Sequence, residues 1–236
     1  MLDLKEIKKN NRINMKHIKP YKIFESNSPN FPTTREEVIQ VCEKYEIENY
    51  TINDDLSIDV DDNVHLGFKM LEYLPLKFNY VSGGFGCYEN KLISLEGSPQ
   101  ILDGSFLCFE NELKSLEGSP SVVNGNFICY ENELESLEGC PQTVGGDFSC
   151  SDNKLKDLEH FPEVNGIISM RGNPVDLLVH TFIKNADIFM IEDFTDYEIV
   201  RNRDTVMLDR LETFIRDNDL KMPDLEGIKK HYKIIE

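Results

Sequence analysis

The chain has no tryptophan and only five histidines among its 236 residues. Those histidines (His17, His65, His160, His180, His231) follow no ligand spacing. No G-x-S-x-G, H-E-x-x-H or P-loop pattern occurs, and no Cys/His nucleophile pair. The expectation is a protein with no catalytic residues, no metal site and no cofactor. Basic residues are also scarce, 25 against 43 acidic ones, for a net charge of −18. Phosphate recognition needs clustered Lys and Arg, so this balance argues against nucleic acid and anionic membranes, and for a protein partner or a cation. No apolar run approaches the length of a membrane span, so no spanning helix is expected. The stretch from Met1 to Lys22 lacks an apolar h-region and a small-residue cleavage site, which makes the cytoplasm the expected compartment. Six cysteines are present. With no export signal, and with four of them at one recurring position, they read as buried thiols rather than disulfides.

What is present is a repeat. Between Val81 and Asn173 one motif is written four times and then once more in shortened form. Its period is about 21 residues, within the range of known solenoid repeats. The pairs Cys87 and Asn90, Cys108 and Asn111, Cys129 and Asn132, and Cys150 and Asn153 succeed one another at that fixed interval. Met170 and Asn173 come one place early. Counting from each Asn as zero, position −9 holds Val81, Leu102, Val123, Val144 and Val164. Position −7 is always Gly. Position −5 holds Phe85, Phe106, Phe127, Phe148 and Ile168. Leucines recur at +2 and +5, Gly or His at +7, and Pro at +9. A fixed period of this length predicts a solenoid, because one coil cannot bury its own apolar face and must stack on its neighbours. Positions −5 and −3 alternate with −6, −4 and −2, which is strand spacing with Phe and Cys inward. The Asn then turns the chain, its amide bonding backbone groups of its own coil and the next.

The repeat resembles the leucine-rich-repeat family, whose pattern L-x-x-L-x-L-x-x-N-x-L is matched here by Phe106-x-Cys108-x-x-Asn111-x-Leu113 and its sisters. The opening apolar residue sits one place early, at −9. The short period is similar to that of the short-repeat bacterial class found in type III secretion effectors. The resemblance covers roughly residues 56–175. More loosely, the layout resembles repeat proteins of large tailed phages and AT-rich bacteria. What the resemblance implies is an α/β repeat solenoid, a leucine-rich repeat with short parallel β-strands on its concave face. Terminal caps would close it: an N-terminal helix and hairpin, and a C-terminal helical segment.

The flanks divide accordingly. Residues 1–30 carry seven basic and three acidic side chains and read as a solvated basic leader, within which Met15 is an alternative start. Residues 31–80 hold a helix over Thr34–Tyr45, opened by a Thr34/Glu37 capping box. A hairpin from Tyr50 to Val60 follows. After it comes an irregular first coil in which Asn63, more than one period ahead of Asn90, takes the turn position. The array proper spans 81–175. Residues 176–236 read as a helical cap, with helices over Asp176–Ile183 and Thr205–Asp217, the latter N-capped by Asp204. Ile188–Phe194 is ambiguous, and Tyr232–Ile235 suits a short strand.

Three features invite a functional reading. The four repeat cysteines fall in a line under parallel stacking, not in the tetrahedron zinc requires. Cys140, which replaces a Ser, is a candidate exposed thiol. Acidic ladders recur at −1 (Glu89, Glu110, Glu131, Asp152) and +6 (Glu96, Glu117, Glu138, Glu159). They suit solvated rims, or calcium between coils if further oxygens complete a site. The outward strand positions −6, −4 and −2 carry an aromatic stripe, Tyr88, Phe109 and Tyr130, beside Leu107 and Ile128, with Arg171 at the far end. Exposed contiguous apolar surface marks an interface, unless a cap or the leader covers it or cross-strand stacking alone selects aromatics. The expected function is therefore a non-enzymatic protein–protein interaction module that binds a protein partner through these six residues. The alternative is a structural component of a virion or envelope assembly held by its terminal segments.

Overall fold

The computed structural model describes residues 29–179, 194, 196–202 and 204–236. The chain forms two units, Met1–Asn30 and Phe31–Glu236, and the second is a parallel β-solenoid. The leader through residue 28 lies outside the described residues. So do residues 188–193 and the part of the expected Asp176–Ile183 helix beyond Val179.

Helix α1 spans Arg35–Lys44. Thr34 caps it by accepting from the Glu37 N–H. The Glu37 carboxylate reaches one residue further back than a capping box predicts, accepting from the Thr33 N–H at 2.7 Å. Val38 and Cys42 form its buried stripe. Arg35 donates to the Ile52 carbonyl (2.8 Å) and so ties the helix to the hairpin of β1 (Tyr50–Ile52) and β2 (Ile58–Val60).

From β2 onward each coil contributes two short strands. One set is β4 (Phe78–Val81), β6 (Ile101–Leu102), β8 (Val122–Val123), β10 (Thr143–Val144) and β12 (Glu163–Val164). These extend the hairpin into a seven-stranded sheet of order β1-β2-β4-β6-β8-β10-β12. The other set is β3 (Val64–His65), β5 (Phe85–Gly86), β7 (Phe106–Leu107), β9 (Phe127–Ile128), β11 (Phe148–Ser149) and β13 (Ile168–Ser169), forming a six-stranded sheet. All coil-to-coil pairs are parallel, and apart from a bulge between Ile58 and Asp59 where β2 meets β4 they run in register, Phe106 on Phe127 and Leu102 on Val123 among them. The early apolar residue at −9 is thereby explained: it is the inward residue of a strand in the seven-stranded sheet, separate from the six-stranded sheet that holds −5. Between the two strands sits the glycine of position −7. A methyl group on Gly104 would lie 2.4 Å from the Gly83 carbonyl oxygen, so the corner is packed backbone on backbone. One on Gly84 would approach nothing closer than 3.4 Å. Gly104→Ala is expected to cost about 3 kcal/mol, as overpacking does, and Gly84→Ala less than about 1 kcal/mol. Urea melts of the two variants check the contrast.

The register corrects the first coil. Val60 pairs with Val81 and Val64 with Phe85, so Asn63 stands at −6 and this coil has the ordinary length. Its turn position is Lys69, whose N–H donates to Asn90 Oδ1 (2.9 Å). Inside the array the phenylalanines form a continuous stack, Phe85, Phe106, Phe127 and Phe148, with centroids 5.4–6.0 Å apart. Phe78 and Phe161 close its two ends edge-on.

The asparagines hold the coils together. Asn132 is buried; its Oδ1 accepts from the Leu113 N–H (3.0 Å), and its Nδ2 donates to the Cys108 and Cys129 carbonyls (3.0 and 3.2 Å). The ladder therefore joins each coil to the preceding one, not the next. Asn90, Asn111, Asn153 and Asn173 repeat the pattern.

Beyond the array, α2 (Asp176–Val179) buries Leu178. The tail is not wholly helical. β14 (Val200–Arg201), β15 (Thr205–Met207) and β16 (Lys233–Ile235) form a three-stranded sheet beside α3 (Leu208–Asp217) and α4 (Leu225–Ile228). The expected helix start at Thr205 is a strand because Val206 and Met207 pair with Ile234 and Ile235, contacts that no local signal announces. The α3 N-cap is Met207, without a side-chain bond, and Asp204 instead accepts from the Thr205 hydroxyl. Tyr232 donates to the Lys156 carbonyl (2.8 Å), fixing the tail to the fourth repeat. No described helix is long and apolar enough to cross a membrane.

Candidate interaction face

The second sheet presents −4 and −2 outward, because −5 and −3 are buried as Phe and Cys. Leu107 and Ile128 at −4, and Tyr88, Phe109 and Tyr130 at −2, are all half-buried. The three rings stack face to face: Tyr88 on Phe109 at 4.7 Å and 8°, and Phe109 on Tyr130 at 4.7 Å and 12°. That spacing is the coil repeat itself, so parallel stacking alone brings the rings together. Stacked this way, the rings cover each other's faces and turn their edges to solvent. Tyr88 also has a seat. A Cβ at Gly67 or Gly86 would lie within 2.9 Å of its ring, so both positions leave the space it fills.

Two residues of this face escape a reading of the sequence alone. Phe68 meets Tyr88 edge-on at 5.6 Å and 88°, lengthening the stripe to four rings. Phe68 is 64 % exposed and Met70, two places on, 75 %. Both have left-handed backbone, φ 59° and 56°. Phe68 stands at −1, the position that is left-handed in Glu89, Glu110, Glu131 and Asp152 as well. The signal was its offset of one full period from Glu89, which is visible only once the first coil is in register.

Position −6 departs from expectation. Asn126 Oδ1 accepts from the Asp147 N–H (2.8 Å), and Asp147 Oδ1 accepts from the Ile167 N–H (2.8 Å). Asn63 and Ser105 do the same for Gly84 and Asn126. These side chains stitch coil to coil, whereas Ile167 at the far end is 73 % exposed. At the far end Ser151 and Ser169 share a hydroxyl hydrogen bond of 2.8 Å, and Arg171 is exposed. The aromatic stripe thus ends at Tyr130, and Arg171 holds the same −2 position two coils further on, beyond Ser151.

The −1 carboxylates run beside the stripe. The Tyr130 phenol is raised above its ordinary range, first by burial and then by Glu110, Glu131 and Glu89. Among the described residues none of Glu89, Glu110, Glu131 and Asp152 is ion-paired. The thiol reading of Cys140 is corrected. The residue is half-buried, and burial pushes its thiol well above the usual value, with Cys150 adding to the effect. A thiolate nucleophile is disfavoured there. Elsewhere the surface offers a recess of about 220 Å³ lined by Phe31, Lys77, Phe78 and Ser98. The first sheet also shows Ile101 and Val122, 59 % and 44 % exposed.

Comparison with protein-family models, with curated proteins and with solved structures finds no match to this chain.

Proposed function

We propose that this protein is a non-enzymatic binding module, built on a repeat that resembles the leucine-rich repeat, and that the outward face of its second sheet engages a protein partner. The observation that carries the reading is the half-exposed aromatic ladder Phe68, Tyr88, Phe109 and Tyr130, flanked by Leu107 and Ile128. Cross-strand stacking rewards neighbouring rings, but it does not explain Phe68 and Met70. Both expose most of their apolar surface from a backbone conformation that costs about 1 kcal/mol or more in a side-chain-bearing residue. Contiguous apolar surface of this kind is a liability in an isolated solenoid and an asset in an interface. The exposed apolar pair on the first sheet is smaller, and its neighbour Tyr80 already donates its hydroxyl to Asp103 (2.7 Å).

The test is capture from host extract by the tagged chain and by two double variants. Phe109→Ser with Tyr130→Ser removes the far half of the ladder at a stability cost of about 2 kcal/mol, followed by thermal melting. Ile101→Ser with Val122→Ser perturbs the other sheet. A partner retained by the second variant and lost by the first is the expected result. Equal capture by all three proteins removes the reading.

A further inference from the structure

The aromatic ladder does not stand alone on its face. Glu89, Glu110 and Glu131 directly follow Tyr88, Phe109 and Tyr130 in sequence, and Asp152 continues the column one coil past the ladder, each held in the same left-handed conformation with φ 50–52°. A common backbone conformation at a common position gives the column the coil repeat of about 4.8 Å. Like charges this close repel, and no described cation answers them. The +1 column adds Glu112 and Glu133 against Lys91 and Lys154, and Lys154 is already engaged by Glu133. Each of Glu89, Glu110 and Glu131 directly follows a ladder ring in the chain, which sets column and ladder side by side, and after burial the three raise the Tyr130 phenol. A ligand resting on the rings therefore lies well within the Debye length of about 8 Å at physiological salt.

Resting on the reading that this face binds protein, we infer that the partner presents a cationic apolar segment, with Leu- or Ile-type side chains over the rings and Lys or Arg against the −1 carboxylates. Charge complementarity selects it. Acidic or neutral apolar segments would leave four like-charged carboxylates unanswered at the rim of a desolvated contact. The same field excludes acidic partners and gives the face a direction. The acidic, aromatic end runs from Phe68 to Tyr130, and the far end turns polar at Ser151 and Ser169 and basic at Arg171.

The chain has no tryptophan, so one indole placed in a peptide probe reports its own burial. Three synthetic probes of about 12 residues, a length that suits a short docked segment, carry alternating Lys/Leu, Glu/Leu or Lys/Ser, each with a single Trp. They are titrated with the full chain in about 0.15 M salt. The Lys/Leu probe is expected to bind with a blue shift in emission, and the other two at least roughly tenfold more weakly. Glu110→Gln with Glu131→Gln, which leaves the rings and backbone in place, is expected to weaken Lys/Leu binding roughly tenfold. Phe109→Ser with Tyr130→Ser should do so too. Equal binding of Lys/Leu and Lys/Ser, or indifference to both double variants, overturns the inference, since attraction to the net charge alone would explain it. Equal or tighter binding of Glu/Leu also overturns it. So does the failure of every probe while capture from extract still depends on Phe109 and Tyr130; in that case the binding face stands and only its partner chemistry falls.

Discussion

Asn132→Ala should destabilise the solenoid by about 4 kcal/mol. The residue is only 7 % exposed. Removing its amide orphans the Leu113 N–H in the preceding coil, and it takes a donor from the Cys108, Cys129 and Tyr130 carbonyls (3.0, 3.2 and 3.3 Å). The buried Leu113 N–H left unsatisfied costs about 1–3 kcal/mol, and the three carbonyls, which keep a donor in Asn111 Nδ2, Asn153 Nδ2 and the Glu110 N–H, each lose a bond worth about 0.5–1.5 kcal/mol. The matched control is Asn124→Ala, whose side chain is exposed and makes only a long 3.4 Å bond to Asp103. It should change stability by less than about 0.5 kcal/mol. Asn132→Asp sharpens the argument. Its carboxylate can still accept from Leu113 but faces three carbonyls, so its folded-state pKa is raised. The deficit should therefore be largest at neutral pH and shrink as pH falls and the acid becomes a donor. Urea melts of the three variants at neutral and acid pH measure this. Equal loss for Asn132→Ala and Asn124→Ala would mean that the amide ladder is incidental. Because each coil is stabilised by its neighbours, the damage should spread beyond the mutated turn.

The second large effect is alkaline unfolding. Burial pushes the Cys42 and Cys150 thiols up to about 12, and raises Cys87, Cys108 and Cys129 strongly as well. An unfolded thiol titrates near 8.5. Below that pH both states hold their protons and stability is undiminished. Above it the unfolded chain releases protons that the folded chain keeps, so stability falls as pH rises toward the folded values. Each thiol contributes a slope of about 1.4 kcal/mol per pH unit, and with Cys140, which burial also raises, six act in the same window. A domain stability of about 5–15 kcal/mol is then exhausted within about two units above pH 9. Circular dichroism against pH, with thiolate absorbance recorded in parallel, should show both signals changing in one cooperative step. Replacing Cys87, Cys108 and Cys129 by Ala should lower stability at neutral pH through cavities, yet flatten the alkaline slope. Gradual thiol titration without loss of structure would show that the column is accessible after all.

Recognising the Asn as a core turn residue required only its periodicity and its chemistry. Assigning Asn63 required more. An Asn after an alternating apolar strand is a natural candidate for the turn, but Val64 pairing with Phe85 puts it at −6, where its amide oxygen takes the Gly84 N–H (2.7 Å). The same one-coil register moves Phe68 onto the aromatic ladder. Tyr88, Phe109 and Tyr130 were legible because they repeat at a shared offset. Phe68 was not, since it occupies a position where its sisters are acidic. The thiols at −3 were legible as core, whereas Cys140, at a position shared with Ser98 and Ser119, read as exposed until packing showed it half-buried.

By itself, then, the sequence determined the period, the inward Phe and Cys columns, the Asn turn and the acidic balance of the chain. These are properties of one coil, and every coil states them again. The tertiary structure alone decided that two sheets run along the solenoid, that the −6 side chains stitch rather than display, and that Phe68 and Met70 extend the outward face. The tail's mixed sheet and helices belong with these. Each rests on hydrogen bonds or ring contacts between residues about one coil or more apart in the chain. Such pairings are chosen by the register of the stacked backbone, which no single stretch of sequence contains.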